Sequence, residues 1–197
     1  DVKESAALWC YSFYSTKNLT TVNGGMIATN NERAVQWLRK ARDHGVTKGT
    51  IERYKDGKWS YDIDFVGWRE KSDDLHAVIG LEQLKKLDWI NSERQRILDK
   101  YNSLLGLKRT GLHLYPILVD NRPEFIEFMK SNGIQTSVHF LPLHKMTAYK
   151  KWGKVSLPNT EYLGERLVSL PLWPGLKDGE IEYITSKVKE SKLFING

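Results

Sequence analysis

The sequence predicts an α/β fold, and three observations carry that prediction. Residues 7–14 form a short aromatic and apolar run that ends in polar turn residues, a pattern typical of a buried strand. Residues 73–105 keep approximate helical spacing of apolar side chains over many turns. From residue 112 onward, strand patterns and helix patterns follow one another along the chain. Together these features indicate a chain that mixes strands and helices.

The elements before residue 72 follow from short local patterns. A second short strand is predicted at 26–29, directly behind the glycine pair at 24–25. A helix is predicted over 31–43, with Gly45 as its stop signal. Its apolar positions have helical spacing: Ala34, Val35, Leu38 and Ala41. Residues 45–58 are polar, contain three glycines and are expected to form a loop.

The segment 73–105 is predicted to be one long helix with Ser72 or Asp73 as its N-cap. The apolar positions that support it are Leu75, Val78, Ile79, Leu84, Leu87, Ile90, Ile97, Leu98, Tyr101 and Leu104. A helix of this length suggests a connection between two lobes, with a break near Asp88. We therefore predict two domains, residues 1–88 and residues 89–197.

The second lobe reads as a small α/β domain. Residues 112–119 are predicted to form a strand, in which Pro116 indicates an edge position or a bulge. A helix is predicted over 121–132, because Pro123 stands near its start and Gly133 just past its end. The remaining predicted elements are a strand at 135–140, a helix at 160–169, a turn at 171–175 and a helix at 178–190.

Composition is that of an ordinary soluble globular protein, with 197 residues, 40% hydrophobic and 27% charged. No apolar run approaches the length of a membrane span, and no signal peptide is expected at the start. The single cysteine, Cys10, excludes an intramolecular disulfide and fits a reducing compartment. Because Cys10 stands in an apolar run, we expect a buried, inert thiol. These features predict a cytoplasmic protein without membrane association.

A net charge of +6 raises the question of nucleic-acid binding. The basic residues that cluster in the first half are Arg33, Arg39, Lys40, Arg42, Lys48 and Arg53. Acidic residues are interspersed elsewhere, and neither a basic low-complexity arm nor an RNA-binding signature is present in the sequence. A solvated helix face explains most of these charges, so no nucleic-acid partner is expected.

The segment 11–21 places one lysine, Lys17, on a hydroxyl-rich loop between an aromatic strand and a glycine pair. A lysine framed in this way is a candidate for covalent chemistry with a carbonyl or a cofactor aldehyde. The neighbouring hydroxyls and glycine amides could hold a phosphate group. The simpler alternative is a solvated lysine in a polar turn.

Four segments of the sequence share one resemblance. Residues 12–26 read SFYSTKNLTTVNGGM, and residues 67–84 read GWREKSDDLHAVIGLEQL. Residues 138–144 read VHFLPLH, and residues 169–176 read SLPLWPGL. In this order the four segments resemble motifs of the DegT/DnrJ/EryC1/StrS family of sugar aminotransferases, which use pyridoxal phosphate (PLP).

The resemblance implies the C-terminal part of a PLP-dependent aminotransferase of fold type I, which is aspartate-aminotransferase-like. Residues 1–88 would be the remainder of the large PLP-binding domain, and residues 89–197 the linking helix and the small α/β domain. Members of the family work as homodimers with active sites at the subunit interface. They transfer an amino group, most often from glutamate, to a keto-sugar nucleotide in amino-sugar or polysaccharide biosynthesis. No metal is implied.

Site residues are carried over by the same resemblance. Lys17 would hold PLP covalently and then serve as general acid and base. Ser12 would place its hydroxyl on the cofactor phosphate. Lys71 occupies a position where the family commonly has asparagine or arginine that reaches the phosphate of the other subunit's cofactor. The surrounding run, 69–72, departs from the family pattern.

Substrate contacts are implied for two further residues. Tyr14 stands at a position that faces the substrate, and a packed strand aromatic is the alternative interpretation. His139 is the better candidate for a substrate contact in its segment, and a structural histidine at a lobe junction is the alternative. His139 and His144 could suggest a metal, but no further ligand cluster accompanies them, so no metal site is predicted.

Two alternatives to the aminotransferase remain. PLP-dependent dehydratases of deoxysugars resemble this family but have histidine in place of the cofactor lysine, so Lys17 argues against them. The second alternative is a truncated chain that folds and dimerises without binding PLP. The altered segment 69–72 and the absence of the family's first half favour this alternative for the chain alone.

Overall fold

A computed structural model describes residues 8–57, 59–153 and 155–195. The chain divides into two compact units, Asp1–Leu87 (unit 1) and Asp88–Gly197 (unit 2). Each unit combines helices with a small antiparallel sheet. The identity of the two units as parts of a large and a small domain stays a prediction.

Unit 1 begins with an antiparallel pair of strands, β1 (Trp9–Ser12) and β2 (Gly25–Ala28). Two helices and a longer third one follow: α1 (Glu32–Ala41), α2 (Thr50–Asp56) and α3 (Asp74–Leu84). Asn31 caps α1 by accepting a hydrogen bond from the Ala34 amide, and Asp73 caps α3 by accepting one from the His76 amide.

Three predictions for unit 1 are wrong. The first strand, predicted to be buried, is mostly exposed, and so is Cys10, because β1 pairs only with β2 among the described residues. The loop predicted at 45–58 contains α2, whose start is capped when Glu52 accepts a hydrogen bond from the Gly49 amide at 3.0 Å. The helix buries no side chain, so it leaves no apolar periodicity in the sequence.

The long helix predicted over 73–105 is two helices in the structure. The first is α3, and the second, α4 (Leu87–Leu105), follows a turn at residues 85–86. The remaining helices of unit 2 are α5 (Arg122–Ser131), α6 (Pro158–Arg166) and α7 (Asp178–Glu190). Short 3₁₀ turns lie at Leu143–Lys145 and Thr147–Trp152. Helix α7 has the bounds predicted from the sequence.

The sheet of unit 2 has the order β4-β3-β5, with β3 (Tyr115–Val119) in the centre. β4 is Leu167–Leu170 and β5 is Phe194–Ile195, both antiparallel to β3. Pro116 therefore lies in a central strand, although an edge or a bulge was expected. The position tolerates proline because β5 pairs only with Leu118 and Val119, so Pro116 has a strand neighbour on one side.

Two further predictions for unit 2 are corrected by the structure. Residues 135–140 form no strand, and their pairing is limited to one bridge between Ser137 and Ser169. Residues 167–169, predicted as the end of a helix, belong to strand β4. The reason is burial, since Val168, Ser169 and Leu170 pack inside unit 2 next to β3.

The hydrophobic core of the described chain lies almost wholly in unit 2. Side chains of α4, α5 and α7 pack with those of β3 in this core. The largest fully buried side chains of these elements are Tyr101, Tyr115, Phe125, Ile97, Leu98, Ile117, Met129 and Ile181. Unit 1 contributes Ala41 as its buried apolar residue among those described. Many large apolar side chains of α3 are exposed: Leu75, Val78, Ile79, Leu81 and Leu84.

We predict that Leu98→Ala will lower the free energy of unfolding of unit 2 by about 2–5 kcal/mol, because it leaves a cavity in the core. The Leu98 side chain is 1% exposed, whereas Leu143, 57% exposed, offers a matched control. Leu143→Ala should change the free energy by about 0.5 kcal/mol or less. Urea denaturation monitored by circular dichroism measures both. Equal effects of the two substitutions would contradict the described core.

Candidate functional site

Lys17 lies in a tight turn directly after β1. The Lys17 amide donates a hydrogen bond to the Tyr14 carbonyl at 2.9 Å, which closes the turn. The lysine is partly buried, while Tyr14 and the two residues between it and Lys17 are exposed. The role of Lys17 stays a prediction.

The backbone of Phe13 closes the wider loop that carries Lys17. The Phe13 amide donates to the Gly24 carbonyl at 2.9 Å. The Phe13 carbonyl accepts from the Thr21 amide at 3.0 Å and from the Thr20 hydroxyl at 3.1 Å. Thr20 Oγ1 in turn accepts from the Val22 amide at 2.9 Å. Residues 14–23 therefore form a closed loop whose ends are held by one residue.

The glycine pair allows β2 to approach β1 at the base of this loop. Gly24 has a φ of +133°, a conformation that strongly favours glycine. A Cβ on Gly25 would lie 2.7 Å from the Tyr11 carbonyl oxygen, which is too close for any other residue. The pair therefore serves the shape of the backbone.

Ser12 ends β1, and Tyr14 begins the turn that carries Lys17. The Tyr14 amide donates to Ser12 Oγ at a long 3.4 Å, so this hydroxyl keeps capacity for a ligand. Both residues are exposed. Because Tyr14 is 54% exposed, unit 1 does not bury it as a packed strand aromatic. The roles of Ser12 and Tyr14 stay predictions.

These groups fit the chemistry that PLP needs. A partly buried primary amine can bond to the cofactor aldehyde, and an exposed serine hydroxyl can donate to its phosphate. Within unit 1, Ser12 and Lys17 come from one strand and the turn that follows it, so both can serve one cofactor. The residues present are therefore compatible with the group.

Lys71 is not part of this loop, although Asn23 and Gly24 at the end of the loop line the same cavity as Lys71. Its ammonium group pairs with Asp43 Oδ2 at 3.1 Å, and Asp43 forms a backbone bridge with Arg69. Lys71 lines a cavity of about 1160 Å³, and neither Lys17 nor Ser12 lines it. The charged side chains around this cavity are Arg39, Arg42, Arg69, Glu70, Lys71 and Asp73. Unit 1 therefore does not bring Lys71 onto the same cavity as Lys17.

His139 belongs to unit 2, where its Nδ1 lies 2.9 Å from Ser169 Oγ. The other histidine of the segment, His144, has its Nε2 3.2 Å from Glu161 Oε1. Lys145 pairs with the same carboxylate. The two histidines thus have different partners, a buried hydroxyl in one case and a carboxylate in the other. No group of three or more metal-ligating side chains occurs among residues 8–57, 59–153 and 155–195.

Sequence reasoning missed two residues that contact the candidate site residues. Ser169 was part of a quoted motif but was not selected, because a serine in an apolar run gives no sign of which side chain it will meet. Asp43, the partner of Lys71, is 28 positions away in sequence and left no signal at all.

The sequence of the chain matches the model of the DegT/DnrJ/EryC1/StrS aminotransferase family over residues 2–189. The chain belongs to this family. The resemblance inferred from four segments is thereby confirmed. Members of the family are PLP-dependent enzymes, and the mixed α/β fold agrees with the class that was predicted.

Individual relatives of this family are similar along most of the chain. It is 37% identical to an uncharacterised protein of Methanocaldococcus jannaschii and 34% identical to the spore coat polysaccharide biosynthesis protein SpsC of Bacillus subtilis. Each alignment covers 91% of this chain and 52% of the relative. The chain therefore spans about half the length of these relatives.

The structure is also similar to solved aminotransferases. Spr1654 of Streptococcus pneumoniae in its PMP form is 28% identical, with a TM-score of 0.82 over 93% of this chain and 52% of that protein. The same protein has been solved in its PLP form. Within the part of the chain that the structure describes, no helix is long and apolar enough to cross a membrane.

We predict that Gly25→Ala will destabilise unit 1 by about 1–3 kcal/mol, because the new methyl group meets the Tyr11 carbonyl and must push β2 away from β1. Gly111→Ala is the control, since a Cβ there meets no atom within 4 Å. The control should change stability by less than about 1 kcal/mol, in the stabilising direction. Thermal denaturation measures both, and an unaffected Gly25→Ala protein would contradict the close approach.

A second prediction concerns Glu161, which supports His144. The Leu157 amide, then His144 and Lys145, hold the pKa of the Glu161 carboxyl below its ordinary value. Since the unfolded chain binds the proton more readily, this stabilisation is present at neutral pH and is lost as the pH falls below about 4.3. Glu161→Gln should therefore lower stability at neutral pH and flatten the acid side of the stability profile. Urea midpoints at several pH values measure this, and an unchanged profile would contradict it.

Proposed function

We propose that this chain carries the cofactor lysine of a PLP-dependent aminotransferase that acts on a keto-sugar nucleotide. Glutamate is the proposed amino donor, and a cytoplasmic homodimer is the proposed working form. One observation carries the proposal. The chain belongs to the aminotransferase family, and its Lys17 is a partly buried residue in a closed turn that follows the exposed Ser12 in sequence.

The substrate class rests on family membership and on a named relative. SpsC, 34% identical to this chain, is a spore coat polysaccharide biosynthesis protein. A related role here would be the amination of a sugar unit before its incorporation into a polysaccharide. The excess of positive charge, +6 over the whole chain, also favours the approach of a substrate that carries a diphosphate.

Each residue has a defined task in this proposal. PLP supplies an electron sink for the carbanion that transamination requires. Lys17 Nζ would first hold the cofactor and, once free again, would accept the proton that leaves the Cα atom of the amino donor. Ser12 Oγ donates a hydrogen bond to the cofactor phosphate. Tyr14 and His139 contact the substrate.

Lys71 has a separate task, because it does not share a cavity with Lys17 in unit 1. We assign it to the phosphate of the cofactor held by the other subunit. Its ion pair with Asp43 is half-exposed and therefore weak, of the order of 1 kcal/mol or less, so an incoming phosphate can replace it. A lysine would act there as a point charge without the directed hydrogen bonds of asparagine or arginine.

The experiment that tests the proposal detects a covalent adduct on the full chain. The protein is incubated with PLP, reduced with borohydride, and analysed by intact mass and peptide mapping. We expect one adduct on Lys17 in the unmodified protein and none in Lys17→Arg, which keeps the positive charge but lacks a reactive amine. Lys130→Ala, on the surface of α5, should retain the adduct and serves as the matched control.

The alternative is a chain that folds and dimerises but binds no PLP. It is favoured by one observation, that the run 69–72 departs from the family pattern. A folded protein without an adduct, or with adducts spread evenly over surface lysines, would support this alternative and contradict the proposed function of the chain.

A further inference from the structure

Ser169 holds an unusual position among the polar residues of unit 2, because its hydroxyl is buried in the sheet. The residue is 3% exposed and lies in β4. Its backbone is fixed by Ser137, which donates to the Ser169 carbonyl at 3.1 Å and accepts from the Ser169 amide at 2.7 Å. The backbone of Ser169 is thereby held in place, and its side chain lies inside unit 2.

The partner of this hydroxyl is the imidazole of His139. Oγ and Nδ1 are 2.9 Å apart, a normal hydrogen-bond distance. The imidazole also meets the Phe140 ring edge to face, with centroids 5.0 Å apart. These two contacts fix the plane of the His139 ring.

The direction of the hydrogen bond between Ser169 and His139 follows because a buried hydroxyl group must donate its hydrogen to an acceptor. Its hydrogen must reach an acceptor, and among the described residues Nδ1 of His139 is the acceptor within reach. In the reverse direction, Nδ1–H would donate to Oγ and the buried hydroxyl hydrogen would be left without an acceptor. Ser169 therefore donates, and Nδ1 accepts.

We propose that Ser169 is a positioning residue that fixes the neutral His139 as its Nε2–H tautomer. Nε2 stands on the opposite side of the ring from Ser169, and no hydrogen-bond partner for it occurs among the described residues. The partly buried histidine thus presents an N–H donor rather than a lone pair. The ligand it suits is an oxygen acceptor, either a carboxylate or a sugar oxygen. This last step rests on the proposed function.

His144 provides an internal control for this inference. Its Nε2 faces the Glu161 carboxylate, and its tautomer is therefore set by a group that Ser169 does not touch. A change at Ser169 should alter the state of His139 and leave that of His144 unchanged.

The tautomer is measured by long-range ¹H–¹⁵N NMR on the full, ¹⁵N-labelled chain at about pH 8.5, where an ordinary histidine is neutral. His139→Asn assigns the His139 signals among the five histidines. We expect the proton on Nε2 in the unmodified protein. Ser169→Ala should shift His139 toward a mixture of tautomers, while Ser169→Thr, which keeps the hydroxyl, should restore the Nε2–H form.

A proton on Nδ1 of His139 in the unmodified protein would overturn the inference. So would an unchanged His139 spectrum in a folded Ser169→Ala protein. If both variants fail to fold, the unmodified protein alone decides between the two tautomers.

Ligand contact is tested separately by adding L-glutamate and, in a second sample, UDP-glucose as a nucleotide-sugar probe. A shift of the Nε2 signal with glutamate assigns the acceptor to a carboxylate, and a shift with UDP-glucose assigns it to the nucleotide sugar. No shift with either would overturn the ligand contact of His139 and count against its role in the proposed function. The tautomer of His139 is measured without a ligand, so that result would stand whatever the ligand test shows.

Discussion

The candidate site of unit 1 depends on the backbone of one residue, Phe13. Its amide and carbonyl make three hydrogen bonds, to Gly24, Thr21 and Thr20, and these close the loop that carries Lys17. Backbone groups are strong partners that rarely stay unpaired when buried, so the loop geometry does not depend on any particular long side chain. A lysine can then occupy the turn while its amine stays available for chemistry. The hydroxyls of Thr20 and Thr21 donate hydrogen bonds to backbone carbonyls of the loop.

Unit 2 relies on buried donors in a comparable way. Arg94 donates to the carbonyls of Leu112, His113 and Leu172, and Tyr101 donates to the Pro171 carbonyl. Burial lowers the pKa of the Arg94 guanidinium, which nevertheless keeps its charge because arginine starts so high. These bonds anchor the segment that follows β4. The same strand holds Ser169, so the orientation of His139 ultimately rests on a rigid core rather than on a surface loop.

The sequence predicted correctly the elements whose apolar residues have regular spacing and are buried in the structure. Helix α7 was placed with its correct bounds because its apolar residues have helical spacing and pack into the core. Helix α2 was missed because it buries nothing, and β5 because two residues carry no pattern. Residues 167–169 were assigned to a helix because helical and strand patterns cannot be separated in a short apolar run. These residues form a strand because they pair with β3, which is a long-range contact that a local pattern does not show.

The candidate site shows the same division. Lys17 and its glycine pair could be found from residue types and spacing, because the chemistry needs them close together in sequence. Ser169 and Asp43 could not be found, because each meets its partner only after folding. The place of Lys71 in the site stays a prediction, because unit 1 does not bring it onto a cavity that Lys17 lines. Local motifs therefore nominate Lys17 as the candidate amine, whereas the side chains that contact His139 and Lys71 are known only from the folded structure.

The most direct test of the central claim is a half-reaction of the PLP-treated chain with glutamate. Isotope-labelled L-glutamate is added to the protein, and the 2-oxoglutarate released is measured by mass spectrometry against the amount of bound PLP. The reaction is run on unreduced protein, and the PLP bound to Lys17 is quantified on a separate aliquot reduced with borohydride. We predict release of 2-oxoglutarate in proportion to the PLP bound to Lys17, and none from Lys17→Arg. A protein that binds PLP on Lys17 but releases no 2-oxoglutarate from glutamate would contradict the proposed role of Lys17.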